Sequence, residues 1–509
     1  MYHIYDPGAP SIDPVFGNRG ILIDAGSEGS RMHIFSWQPR VFDTSPPPLS
    51  FPESDEKTTE RISPGMAKFA DNLQGLKKYF GHLISVAKTT LAPYEEHWQS
   101  FPFYVKATGG MRLLPVSQRA KVMAYTRDIL SDKSFCPFYF QFDFARVISG
   151  EEEAAYAWAA SNFLFDTLLP NSHGSGAVNR PIDGTYGVVD LGGASTQISF
   201  FVPSQDVSES LFKLQIGSQR HWNIYAKSFL TYGHTEARRR HLELLVGNLL
   251  STNSSARRMV NDCFYAGYEE SFAGYDSSFI VSGPDKSHRH QFDHCVNSVK
   301  PLMEKDLNGF CNKVFDGECS ISGHYQPTLP TSKDGHFIGS ATYKYPWVFL
   351  QMPDYGTLDM FKKRAKSVCA MNYKDIIDYS GTLNSTVQRS DLVPYYCFLS
   401  SYITVLLEDG YGFTNNQTFK VVDEINGHKV GWALGSMLYE INGLPFILSP
   451  PRWQDYLPQI VVVLCAGIIV GAVSVFFLSK NGTQSSPLRR RKGYDSIPTY
   501  SDNDVTSSS

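Results

Sequence analysis

The stretch VVDLGGASTQISF, Val188–Phe200, decides how the rest of the chain is read. Apolar residues run into Asp190, a Gly192–Gly193 pair follows, and a Ser/Thr/Gln cluster returns to an apolar end. That order predicts a strand, a tight glycine turn and a second strand. Glycines at the tip carry no Cβ, so backbone N–H groups there can approach an anion closely. A carboxylate such as Asp190 facing a phosphate makes sense only with a divalent cation between them. An ordinary Gly-Gly hairpin with a solvated aspartate fits the same letters.

The N-terminal stretch Gly20–Trp37, GILIDAGSEGSRMHIFSW, repeats the grammar: an apolar run to Asp24, a turn over Ala25–Ser30, and a second strand from near Met32. Two such units predict two related half-domains facing one another across a phosphate, the logic of the actin/Hsp70/sugar-kinase group. Two acids, one from each half, then flank one metal–phosphate unit.

Between the hairpins, Met66–Leu91 shows helical periodicity through Phe69, Leu73, Leu76, Phe80 and Leu83. FPFYVKATGGMRLL, Phe101–Leu114, predicts a strand at Phe103–Ala107, a turn at Thr108–Gly110, and a helix from Met111 toward Leu130. A helix start behind Gly-Gly is an anion site, and Arg112 there faces either a phosphate or solvent. In Arg146–Leu164, Ser149 and Glu152 form a capping box, and three glutamates in the first turn suit the helix dipole. The cap does not need all three, and one of them is free to act as general base toward a water. Further on, Ala237–Leu250 and Val430–Asn442 read as helices, and Gly335–Phe349 as helix and loop.

The 509 residues suggest two domains, since cores stop growing beyond roughly 250–300 residues. A net charge of −4 gives no support for nucleic-acid binding. Ile460–Leu478 is uncharged, overwhelmingly apolar and long enough to span a bilayer. Trp453 and Tyr456 precede it and Arg489–Lys492 follow, which puts the tail in the cytosol and the bulk of the chain on the lumenal or extracellular side. The opening MYHIYDPGAP has no basic n-region or apolar h-region, so the true start lies upstream of Met1, the signal is cryptic, or the catalytic part is cytosolic; the cysteine pattern favours the first.

Cys263, Cys295, Cys311, Cys319, Cys369 and Cys397 cluster in one half and read as three disulfides of an oxidising compartment, with fifteen connectivities open. Cys136 is left over. Sequons at Asn253, Asn384 and Asn416 agree with that compartment. The tail after Lys480 is polar and predicted to be disordered. Its Tyr494–Ile497 fits the tyrosine-plus-hydrophobic pattern read by trafficking adaptors, which favours a Golgi or endolysosomal membrane over the plasma membrane.

DAGSEGSR, KATGGMRLL, ISGEEEAAYAW, VVDLGGASTQISF and GWALGSML resemble, in order and spacing, the five apyrase-conserved regions of the CD39/GDA1 family, the nucleoside triphosphate diphosphohydrolases. The resemblance spans about residues 20–442. It implies an α/β fold of two actin-like, RNase H-type lobes around a nucleotide cleft: residues 1–150 completed by 425–450, and 151–424 bearing the disulfides. A transmembrane helix at 460–478 and a tail at 479–509 follow. It further implies Ca²⁺- or Mg²⁺-dependent hydrolysis of nucleoside tri- and/or diphosphates to the monophosphate.

Carried over by position, Glu153 is the base, Ser195 and Gln197 orient the water, and Asp24 and Asp190 hold the cation through its waters. Ser27, Glu28, Gly29, Ser30 and Arg31, then Thr108, Gly109, Gly110 and Arg112, with Gly192, Gly193 and Ala194, cradle the phosphates. Trp432 is a family position near the nucleotide, or plain core. Tyr343 or Tyr345 is a candidate aromatic for the base. Glu28 departs from the small hydroxyl residue usual at its place, and an acid there repels phosphate unless it points away. Two rival readings use the same fold: a catalytically impaired nucleotide-binding or adhesion module, and a phosphotransferase with an acceptor pocket.

Overall fold

The computed structural model describes residues 18–481 except 55–58, 169–183, 204–206, 208, 218–219, 305–309, 331–336, 384–390, 423, 426–427 and 450–456. The chain start, Asn384, Trp453, Tyr456, the Arg489–Lys492 cluster and the Tyr494–Ile497 motif lie outside the described residues. Residues up to Leu448 form one unit and residues from Ser449 a second.

Two sheets organise the first unit, and each opens with one of the two hairpins. In the first, β1 (Arg19–Ala25) pairs antiparallel with β2 (Ser30–Ser36) and parallel with β3 (Phe103–Ala107), which pairs parallel with β4 (Ala145–Val147). In the second, β5 (Gly187–Leu191) pairs antiparallel with β6 (Ser195–Phe201). That sheet runs β7 (Leu211–Ile216), β8 (Arg220–Leu230), β6, β5, β9 (Phe337–Ala341), β11 (Thr418–Val421), β10 (Tyr355–Thr357). β9 is parallel to both β5 and β11, so the hairpin-then-parallel order of the first sheet recurs. The fold is the mixed α/β, actin-like class that the repeated hairpins predict.

The central strands are buried on both faces, hence their near-continuous apolar runs. Ile21 and Ile23 of β1 face a core shared with Leu76, Phe80 and Leu83 of α1 (Leu73–Thr90). Leu22 faces the opposite way, into a central core shared with Val188 of β5. Between the sheets in that core lie α4 (Gly150–Leu164) and α6 (Trp432–Gly443). The alanines of α4 let it pack on several sides, and Ala154, Ala155, Ala159 and Ala160 are fully buried. A Cβ at Gly435 would overlap the carbonyl of Tyr156, so α6 crosses α4 in backbone contact.

Three elements differ from expectation. The helix expected from Met111 toward Leu130 is two: α2 (Gly109–Arg112) and α3 (Val116–Ser131), parted at Pro115, which has no N–H to donate to a preceding turn. Met66–Leu91 likewise splits into a 3₁₀ turn at Met66–Phe69 and α1, which starts after Asn72. Gly335–Phe349 contains the central strand β9, whose FIGSA sequence is buried on both faces and so shows no alternation. Cys263–Cys295, Cys311–Cys319 and Cys369–Cys397 are disulfides, and Cys136 is a buried thiol. Asn253 and Asn416 are exposed, as glycosylation requires.

In the second unit α7 (Leu457–Asn481) contains Val461–Leu478, a stretch long and apolar enough to cross a membrane.

Candidate active site

The two hairpin turns and the Thr108–Arg112 turn converge, and glycines make the approach possible. A Cβ at Gly109 would lie 2.9 Å from Ser195 Oγ and 3.0 Å from Ala194 Cβ, and one at Gly110 only 2.7 Å from Ser27 Cα. A Cβ at Gly193 would meet Ser27 Oγ at 2.7 Å and Glu28 Oε1 at 2.9 Å. The three turns proposed from sequence therefore meet, the glycine backbone of one lying against the backbone or side chains of the next. Behind them, the first N–H groups of α5 (His234–Thr252) donate to the turn: His234 to the Gly192 carbonyl at 2.9 Å and Thr235 to Gly193 at 3.1 Å.

The N-terminus of α4 delivers Glu153 to the same place. Ser149 caps the helix by accepting from the Glu152 N–H, and the Glu152 side chain accepts from the Ser149 N–H at 2.8 Å and pairs with Arg146 at 2.7 Å. Glu152 is thus occupied in capping and Glu153, one residue on, points elsewhere. Its Oε2 accepts from Arg112 Nη2 at 2.6 Å and from Gln197 Nε2 at 3.2 Å. Arg112 Nη2 also donates to Ser195 Oγ at 3.0 Å, and Gln197 Nε2 reaches Ser195 Oγ and Ser228 Oγ at 2.9 Å each. Arg112 thus faces Glu153 and not open solvent. Gln197 Oε1 and Arg112 Nε and Nη1 are buried with no protein partner. Unused acceptor and donor capacity beside Glu153 suits a water and an anionic oxygen.

Asp24 and Asp190 occupy equivalent places, each on the first strand of its hairpin. Asp24 stands in register with Arg31 across β2 and Lys106 across β3; Asp190 stands in register with Gln197 and Ser340. Arg31 reaches Asp24 at 3.7 Å, and the Ser340 hydroxyl donates to Asp190. Burial raises the Asp24 carboxyl to about 6 and also raises Asp190; Arg31 pulls Asp24 back, and Asp190 pushes it up. Burial likewise raises Glu153 to about 7, with Arg112 opposing and the two aspartates adding to the rise. Three carboxyls raised chiefly by burial, with Asp190 adding to the rise of Asp24 and Glu153, suit a cation, and single oxygens from two strands suit a hard dication. The orphaned polar atoms and this donor set both fit Ca²⁺ or Mg²⁺ with a phosphate.

A family model described as the GDA1/CD39 (nucleoside phosphatase) family matches residues 17–457. The chain belongs to that family. This nucleoside phosphatase is 27% identical over 467 residues to a Golgi apyrase of Saccharomyces cerevisiae, covering 83% of the chain and 70% of the yeast protein. It is 28% identical over 486 residues to ectonucleoside triphosphate diphosphohydrolase 1 of Bos taurus, covering 89% and 88%. Among solved structures, a nucleoside triphosphate hydrolase of Neospora caninum aligns with a TM-score of 0.56 at 15% identity, over 84% of this chain and 92% of that one.

Other members of the phosphatase's expected site fall in less direct places. Glu28 turns across the cleft: its carboxylate accepts from Thr235 Oγ1 at 2.8 Å and lies 3.2 Å from His234 Nε2 at the start of α5. Ser30 is buried in the pairing of β1 with β2. A Cβ at Gly29 would overlap the Ile62 carbonyl, and Thr108 is buried with its N–H on the Ala25 carbonyl at 3.1 Å. Trp432 is the first residue of α6, and its side chain is buried in the central core. Tyr343 is 3% exposed in the core of the second sheet, which removes it as an aromatic for an exposed base; Tyr345 is partly buried against the same core. Sequence reading missed Ser228 and Ser340 as site residues. Each lies directly across a sheet from a predicted one, and only strand register reveals that.

Proposed function

We propose that this nucleoside phosphatase hydrolyses the terminal phosphoanhydride of nucleoside tri- and diphosphates, releasing inorganic phosphate and ending at the monophosphate, with Glu153 as base. The observation that carries the reading is the hydrogen-bonded set Arg112–Glu153–Gln197–Ser195 at the meeting of three backbone turns. We assign the lobes to 1–150 with 425–450 and to 151–424, and infer that α7 anchors the chain with its catalytic part in a lumenal or extracellular space. The clustered disulfides support that compartment, and the Golgi or endolysosomal membrane remains the favoured site.

Ser195 Oγ and the Gln197 amide orient a water beside Glu153. As its oxygen forms the bond to the terminal phosphorus, its proton passes to a Glu153 oxygen and the bridging P–O bond breaks, the bridging oxygen keeping the electron pair and leaving with the nucleotide. Backbone N–H groups of the three turns hold the phosphate oxygens, and Asp24 and Asp190 would hold the divalent cation. The cation, when bound, neutralises charge on the phosphates. Positioning and charge neutralisation carry such a displacement, with no covalent enzyme intermediate required.

Phosphate release from ATP, ADP, GDP and UDP is the test, run with Ca²⁺, Mg²⁺ and chelator on wild type and Glu153→Gln. We expect cation-dependent release from wild type and a loss of about 100-fold or more in the variant with nucleotide binding retained. Near-normal turnover by Glu153→Gln would remove Glu153 from the base role. Release confined to diphosphates would narrow the substrate class.

A further inference from the structure

A second cluster of ligating side chains lies away from the three turns. Asp262, His288 and His294 place one carboxylate oxygen and two imidazole nitrogens all within 4.8 Å of one another. His294 Nδ1 is 4.0 Å from Asp262 Oδ2, and the two imidazole rings lie 5.0 Å apart at a 57° tilt. Neither hairpin, and none of the cleft acids, contributes to it.

The backbone under this cluster is tied down from several sides. Asp262 immediately precedes Cys263, His294 immediately precedes Cys295, and the two cysteines form a disulfide with a Cα–Cα distance of 4.7 Å. Both cysteines are fully buried, so two of the three ligands project from a fixed cross-link. Asn261, also buried, accepts the Cys263 N–H on its side chain at 2.9 Å. The helix Gln291–Val299, which carries His294, is tied a second time because the buried Gln291 side chain donates to the Phe264 carbonyl. The His288 carbonyl accepts the Gln291 N–H at 3.1 Å, which fixes the third ligand to the same helix start. Lys366 holds the neighbouring Asp293 at 3.0 Å, leaving Asp262 as the acid facing His294.

The donor set selects the metal. Two imidazoles with one carboxylate suit zinc and its first-row neighbours, whereas Ca²⁺ and Mg²⁺ prefer all-oxygen shells. At zinc distances of about 2.0–2.1 Å, tetrahedral ligand atoms stand roughly 3.4 Å apart. Donors within 4.8 Å of one another therefore close by at most about 1.4 Å on binding, and the side chains of Asp262 and His294 are half-exposed.

We propose that Asp262, His288 and His294 form a binding site for a zinc-class dication, separate from the phosphate cleft, which joins the loop before helix Gln291–Val299 to the Cys263–Cys295 cross-link. The test uses the full chain in detergent, prepared without a polyhistidine tag, stripped with chelator and held in excess Ca²⁺ to fill the cleft carboxylates. Isothermal titration with ZnCl₂ is expected to show one ion per chain. His294→Asn and His288→Ala should each weaken binding by roughly tenfold or more, while phosphate release in Ca²⁺ stays at the wild-type rate. Co²⁺ should give a visible absorption band in wild type that both variants lose. Absence of zinc binding, or the same stoichiometry and affinity in His294→Asn with unchanged melting, overturns the site.

Discussion

Replacing Arg112 with Met tests the proposed role of Glu153 most directly. The free carboxyl is raised by burial to about 7, and Arg112, 2.6 Å away, is the main influence holding it down. An opposite charge at such range is worth about one to three pH units, each about 1.4 kcal/mol. If Glu153 is the base, as proposed, it works only when ionised, and activity should rise with pH along an acid limb. Removing the guanidinium moves that limb upward. At saturating cation, Arg112→Met should shift the acid limb of kcat/KM by roughly one to three units. Turnover at pH 7 then falls by about five- to five-hundredfold, and the variant's activity climbs back toward the wild-type level as pH passes its shifted limb. Arg112→Lys should bring most of the limb back, because it restores charge without the fork. The assay is phosphate release against pH from 5.5 to 10. A loss of equal factor across that whole range would refute the reasoning, and would make Arg112 a phosphate ligand instead.

Asp24 and Glu153 bind protons more tightly folded than unfolded, so their contribution to stability is complete below about pH 4 and disappears as pH rises through about 6 and 7. Ca²⁺ at the ionised carboxylates should therefore raise the melting temperature more at pH 8 than at pH 5 by scanning fluorimetry, and equal shifts would contradict this. Glu28→Ser removes a negative charge beside the Gly193 turn and should lower KM for nucleotides severalfold in steady-state kinetics with kcat little changed; a raised KM would show that Glu28 assists binding through α5. Gly435→Ala forces a methyl group into the Tyr156 carbonyl, and should cost about 3 kcal/mol or more, seen as a melting temperature several degrees lower or as failure to fold.

The elements legible in the sequence are those whose chemistry is local. The Asp–Gly turn–strand grammar located both hairpins and both acids, because turn and strand preferences act over a few residues. The capping box at Ser149 separated Glu152 from its neighbours, though the choice of Glu153 came from family resemblance. Pairings made through the fold were not legible. Ser340 and Asp190 are 150 residues apart, Glu28 and Thr235 are 207 apart, and each meeting depends on strand register or on α5 backing the turn. The strand β9 was hidden for a related reason, since a strand buried on both faces loses its alternation.

The close crossing of α6 over α4 has an engineering consequence. After α6 the chain pairs Ile447 and Leu448 beside Val41 and Phe42, while Glu440 bonds the buried Lys106 and Asn442 grips the Ser50 backbone at 2.9 Å in both directions. The last helix of the catalytic unit is thus the seat of the helix that carries Glu153, three residues before Tyr156. A water-soluble form must be cut beyond Leu448. A shorter one loses no cleft acid, yet releases the clamp that aims Glu153, the proposed base.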